Sequence, residues 1–177
     1  MLQRLFFALW PDDSVRTHLA GLAEQARHRC GGRRTADDKL HLTLAFLGDV
    51  SPPQVDELIA LTQQLTGPEG TWTLDRLGHF PRGGIVWAGS EAVPEQLLDF
   101  QAELWASLAT LGFIPPQRPF RPHVTLLRQA RQRASHDIAA GHLPLAWTYH
   151  RAALVHSAVD GPRRRYVTLA QTRGPDQ

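Results

Sequence analysis

Cysteine is all but missing from this chain. Cys30 is the only one in 177 residues, so no intrachain disulfide can form and no cysteine cluster can hold zinc. Such usage fits a reducing compartment. No uncharged run reaches the roughly 20 residues of a membrane-spanning helix. A secretory leader is not expected, because Asp12 and Asp13 follow at once on the short apolar start. The expectation is a soluble, cytoplasmic monomer with no membrane partner. Lysine is as scarce as cysteine: Lys39 stands alone, and every other basic residue among the 19 is arginine. The positive charge is therefore carried by guanidinium groups, whose planar fork matches phosphate oxygens. Net formal charge is only +2, with a sequence pI near 9.2, too little for a large non-specific nucleic-acid binder. Low-complexity tracts are absent as well. What remains has an ordinary globular composition, is long enough to bury a core without disulfides, and reads as one domain over residues 1–177.

The apolar pattern alternates between strands and helices. Arg4 to Trp10 is an apolar run closed by Pro11 and reads as a strand. Asp12 or Asp13 can cap a helix with Val15, Leu19, Leu22, Ala23 and Ala26 on its inner face. Cys30 to Arg34 reads as a turn or loose loop. Ser51-Pro52-Pro53-Gln54 starts a second helix, and Pro94-Glu95 opens a third with Leu97, Leu104, Leu108 and Leu111 inside. Residues 71–77 and 85–88 read as strands, 131–143 as a polar loop with at most a helical turn. Residues 145–159 read as a strand with breaks, and 165–169 as the last strand.

Two further strands carry polar pairs. In Leu40-His41-Leu42-Thr43-Leu44 and Pro122-His123-Val124-Thr125-Leu126, the histidine and threonine are two residues apart. Side chains at that spacing share one face of a strand, and a polar pair on an apolar strand needs water, a ligand or a partner. The motifs are 82 residues apart, and the same offset lays the helix near 14–27 on that near 96–109. An internal repeat over about 4–80 and 86–162 follows, with a terminal strand over 163–170 completing a sheet. Two similar halves would bring the motif strands face to face.

Two histidines in one cleft suit a reaction that needs an acid and a base near neutral pH. Hydrolysis of a cyclic phosphodiester fits: one imidazole takes a proton from attacking water, the other protonates the leaving oxygen on the opposite side. Thr43 and Thr125 can donate to the non-bridging oxygens. Neither motif contains Cys, Asp or Glu, and two histidines alone make a poor metal site, so no metal or other cofactor is expected. Phe46 and Arg128 each lie five residues beyond a motif histidine. Strict alternation turns both away from the histidine face unless the strand bulges. Arg118 and Arg121 could touch a nucleic-acid backbone or be solvated loop residues, the second being favoured, and Arg4 reads as a surface residue at a strand end.

With these flanks (Arg4-Leu5-Phe6-Phe7-Ala8-Leu9, the first motif through Gly48, and Arg118-Pro119-Phe120-Arg121 before the second) the chain resembles the 2H phosphoesterase superfamily. Within it, the chain is most similar to the RNA 2′,3′-cyclic phosphodiesterases, once called 2′-5′ RNA ligases. The resemblance implies an α+β fold of two pseudo-symmetric lobes, each an antiparallel-rich sheet with helices outside, around a central cleft carrying both motif strands. It implies RNA or nucleotide 2′,3′-cyclic phosphates as substrate, His123 as general base, His41 as general acid, and a 2′-phosphomonoester product. It further implies a nucleobase contact at Phe46 and a phosphate contact at Arg128. Related substrates stay open, namely ADP-ribose 1″,2″-cyclic phosphate or 2′,5′-linked oligonucleotides, as does an RNA-binding module without turnover.

Overall fold

Asp12 opens the first helix, two residues after Trp10 and just past the Pro11 that ends the first apolar run. Its carboxylate accepts from the Val15 N–H at 2.8 Å, a cap worth about 1 kcal/mol. In the computed structural model, which describes residues 1–175, strand β1 covers Gln3–Leu9 and helix α1 Asp13–Cys30. A two-residue strand β2 (Arg33–Arg34) and a 3₁₀ turn (Asp37–Lys39) lead to β3, Leu42–Val50. Helix α2 (Pro52–Gln64) starts where Gln54 Oε1 accepts from the Ser51 N–H at 3.3 Å and the Ser51 hydroxyl at 3.0 Å. Next come β4 (Gly70–Leu74), β5 (Arg76–Phe80), β6 (Ile85–Gly89), α3 (Glu95–Ala109) and β7 (His123–Arg128). A 3₁₀ turn at His136–Ala139, β8 (Leu145–Tyr149), β9 (Ala153–Asp160) and β10 (Arg163–Gln171) complete the described chain. The fold is α+β.

Seven strands run in the order β10-β9-β1-β3-β7-β6-β5, and β2 adds to β7 to make an eight-stranded sheet. Its middle is narrow: β3 and β7 pair at one position only, Leu42 opposite Val124. β4 and β8 form a separate two-stranded sheet. One sheet per half was expected; instead the large sheet mixes strands of both halves, through β1–β9, β3–β7 and β5–β6, and the second sheet takes one strand from each half. The stretches 71–77 and 145–159 each divide into two strands that change sheets. The first divides at Asp75, whose N–H donates to Gly89 O at 2.9 Å. The second divides ahead of Ala152, whose N–H donates to Thr172 Oγ1 at 3.0 Å. Arg33 and Arg34, expected in a loop, pair with Arg128 and Leu127.

Helix α1 lies against β7 and α3 against β3, so the helix following each first strand covers the motif strand of the other half. The main core takes Leu19 and Leu22 of α1, Leu97, Leu104 and Leu108 of α3, and Leu5, Phe7 and Leu9 of β1. Burial of each such side chain is worth roughly 1.5–3 kcal/mol. The other face of β1 and β9 forms a smaller cluster of Phe6, Ala8, Ala153 and Val155, with Trp10 and Tyr166 packed against it. That second cluster backs the first motif histidine.

Candidate active site

The motif strands bend just past their threonines. On β3, Thr43 pairs with Ala8 and Ala45 with Phe7, leaving Leu44 as an extra residue. On β7, Thr125 pairs with Trp87 and Leu127 with Val86, leaving Leu126 as an extra residue. Each bulge sits three residues beyond its histidine and resets the alternation. Leu44 and Ala45 are both buried, as are Leu126 and Leu127, so Phe46 and Arg128 turn out to solvent on the threonine side. Phe46 is 51% exposed and does not belong to the core, where unbroken alternation would put it. The Arg4 guanidinium lies 4.9 Å from its ring centroid, so Arg4 is more than a strand-end surface residue.

His41 and His123 line one cleft of about 510 Å³, together with Thr43, Thr125, Arg128 and Tyr166. His41 Nδ1–H donates to Lys39 O at 2.6 Å, and His123 Nδ1–H donates to Arg121 O at 2.7 Å. A carbonyl can only accept, so it fixes the proton of the neutral ring on Nδ1 and leaves a lone pair on Nε2. The Thr43 hydroxyl donates to His41 Nε2 at 2.9 Å. Aromatic rings hold both imidazoles. Around His41 the centroids of Phe6, Trp10 and Tyr166 lie at 5.1, 5.5 and 5.6 Å; beside His123 those of Phe80 and Trp87 lie at 5.2 and 6.2 Å. Trp87 owes its position to Gly78, opposite it on β5, where a Cβ would come within 1.9 Å of the indole.

This setting depresses the basicity of both rings. Burial among the aromatics holds His41 down at about 4, from an ordinary 6.5; the Lys39 carbonyl opposes the shift, and the nearby Arg128 and His123 add to it. His123 is also lowered, again by burial first, against the Arg121 carbonyl and with Arg128 and Arg118 adding to the shift. The effect on stability has a definite sign. Between about pH 6.5 and 4 the unfolded chain protonates residue 41 and the folded chain does not. Stability is therefore full above about 6.5 and falls as the pH drops towards about 4, by about 3 kcal/mol from this residue. Urea unfolding across that range measures the slope. His41→Asn should flatten it, and an equally steep slope in the variant would clear His41 as its source.

A second depression of about 940 Å³ adjoins the cleft. It shares Thr43 and His123 with the cleft, and Phe46, Phe80, Trp105, Phe120, Arg118 and Arg121 line it. Arg118 and Arg121, read from sequence as backbone-contacting or solvated loop residues, are exposed and border this depression. All six predicted site residues border one of the two depressions. The sequence reading missed Tyr166, Trp10 and Phe6, which no motif marks. It also missed Arg33, Arg163 and Arg164 on the cleft wall, although the doublet at 33–34 and the triplet at 163–165 were visible signals. Among the described residues no group of three His, Cys, Asp or Glu is placed to hold a metal ion.

The family model described as LigT-like phosphoesterase matches residues 9–87 and again 89–162. The RNA 2′,3′-cyclic phosphodiesterase of Escherichia coli strain K12 is 38% identical over 130 residues, 73% of this chain and 74% of that protein. The protein of the same name from Thermus thermophilus is 30% identical over 176 residues, 94% of this chain and 87% of the relative. Among solved structures, E. coli LigT complexed with 3′-AMP superposes with a TM-score of 0.85 at 33% identity, covering 97% of each chain.

Proposed function

The chain belongs to the LigT-like phosphoesterases, and we propose that it hydrolyses the 2′,3′-cyclic phosphate of RNA ends and nucleotides to a 2′-phosphomonoester, with His123 as base and His41 as acid. The observation that carries the reading is the matched tethering of the two rings. Each imidazole ties Nδ1 to the carbonyl two residues upstream and keeps Nε2 for the cleft that both line.

Water attacks phosphorus and gives a proton to His123 Nε2. The bond from phosphorus to the 3′ oxygen breaks, and that oxygen takes the proton of His41 Nε2; the 2′ oxygen stays esterified. Attack and departure on opposite sides meet the in-line requirement. His41 is neutral at pH 7, so its Nε2 proton is taken up from solvent as substrate binds, the anionic phosphate favouring the charged ring. Once Nε2 is protonated it no longer accepts from Thr43, and that hydroxyl is released to a non-bridging oxygen. Thr125 and Arg128 supply further donors there. An exposed Phe46 beside the neighbouring groove supports a nucleobase stacked on its ring, which would fix which oxygen meets which histidine.

We also read residues 4–80 and 86–162 as two pseudo-symmetric lobes. The family model's two matched segments support this, as does the spacing of 82 that recurs at His41 and His123, Lys39 and Arg121, and the extra residues Leu44 and Leu126. One experiment tests the chemistry: hydrolysis of a 2′,3′-cyclic nucleotide in the presence of chelator, with the isomers separated by phosphorus NMR. The 2′-phosphate should predominate. Predominant 3′-phosphate would exchange acid and base, and loss of activity on chelation, restored by one metal, would replace the two-histidine scheme.

A further inference from the structure

We infer that the arginine-rich end of the catalytic cleft is a second phosphate subsite, taking the phosphate on the 5′ oxygen of the nucleotide whose cyclic phosphate is opened. The inference rests on the hydrolase reading. Arg33 on β2 stands directly opposite Arg128 on β7, and like charges opposed across an antiparallel pair destabilise it. Neutralisation is available close by: Arg34, the neighbour on β2, pairs with Glu24 and Asp37. Among the described residues, no ion pair engages Arg33, Arg128, Arg163 or Arg164.

Arg163 and Arg164 come from the start of β10, which turns back from β9, and line the same cleft as Arg33 and Arg128. Among the described residues, the one polar contact between these four guanidinium groups and another side chain runs from Arg164 Nη1 to Ser157 Oγ at 3.3 Å. Four arginines from three elements, with Arg34 and Lys39 beside them, thus border one cleft whose lining holds no carboxylate. A cyclic phosphodiester carries a single negative charge, and Arg128 alone answers it; the other three call for a further anion. The two depressions share only Thr43 and His123; His41 and these four arginines line the first, and Phe46, Phe80 and Trp105 line the second. If the aromatic groove takes the base, the basic end is left for the ribose's other substituent, the 5′ carbon with its phosphate. That phosphate belongs either to a free 5′-nucleotide or to the next linkage of an RNA chain.

Three substrates separate these cases: adenosine 2′,3′-cyclic phosphate, the same compound with a 5′-monophosphate, and a diadenosine dinucleotide ending in a 2′,3′-cyclic phosphate with no 5′-phosphate. We expect kcat/KM for the second and third to exceed the first by roughly ten- to a hundredfold, the range of charge-assisted hydrogen bonds. The gain should shrink as salt is raised. A gain for the 5′-monophosphate alone assigns the subsite to free nucleotides, and a gain for the dinucleotide assigns it to the RNA chain. The double variant Arg33→Ser, Arg163→Ser should bring the ratios close to one. Equal kcat/KM for all three substrates, or ratios untouched in the variant, would overturn the subsite and leave the hydrolase reading standing. No turnover of any of them would take down the hydrolase reading, and the subsite with it.

Discussion

Replacing His41 or His123 by alanine should lower turnover of a 2′,3′-cyclic nucleotide by about 10²–10⁴-fold, the usual cost of a lost general acid or base. Each imidazole holds a separate proton in the scheme, so either deletion suffices. The double variant should be little worse than the poorer single one, because groups that act as a unit do not add. Folding should survive both changes. Neither ring belongs to the main core, and removing His41 also removes a group that resists charging in acid. Thr43→Ala and Thr125→Ala should lose less, on the order of ten- to a thousandfold, if each takes away one donor to the developing charge. Initial rates with thermal unfolding as control decide the matter; a histidine variant at near wild-type rate does not take part in the chemistry.

The second large effect falls on stability. Trp72 on β4 and Trp147 on β8 are wholly buried and pack with ring centroids 5.6 Å apart at 38°. They face each other across the two-stranded sheet that takes one strand from each half. Trp72→Ala should cost about 3–5 kcal/mol, the range for a large aromatic cut from a core. It also leaves the Ser90 hydroxyl without the indole N–H that meets it at 2.8 Å. Urea denaturation measures the loss. A change below about 1 kcal/mol would mean that the site collapses around the void and that this sheet is not a main tie between the halves.

Much of this was legible in the sequence because burial leaves a periodic trace. The inner faces of α1 and α3 were readable from leucines at helical spacing, and the motif strands from their polar pairs on apolar runs. Phe46 and Arg128 were not readable in the same way. Their direction depends on Leu44 and Leu126, two leucines that look like any other strand residues; only pairing with β1 and β6 makes them bulges. The change of sheet at Asp75 did leave a trace: Asp75 and Arg76 put two polar residues between Leu74 and Leu77, where unbroken alternation allows one. Arg33 and Arg34 read as a loop because two residues are too few for a period, and only the edge of β7 makes them a strand. The rings around His41 come from residues 6, 10 and 166, a neighbourhood that no local window contains.

The single pair Leu42–Val124 also explains why there is an opening at all. Strands that touch at one pair splay apart on either side of it, and the gap between them is room for a ligand. His41 precedes Leu42 and His123 precedes Val124, so both reacting groups stand at the apex of that gap, beside the one point where their backbones are tied to each other.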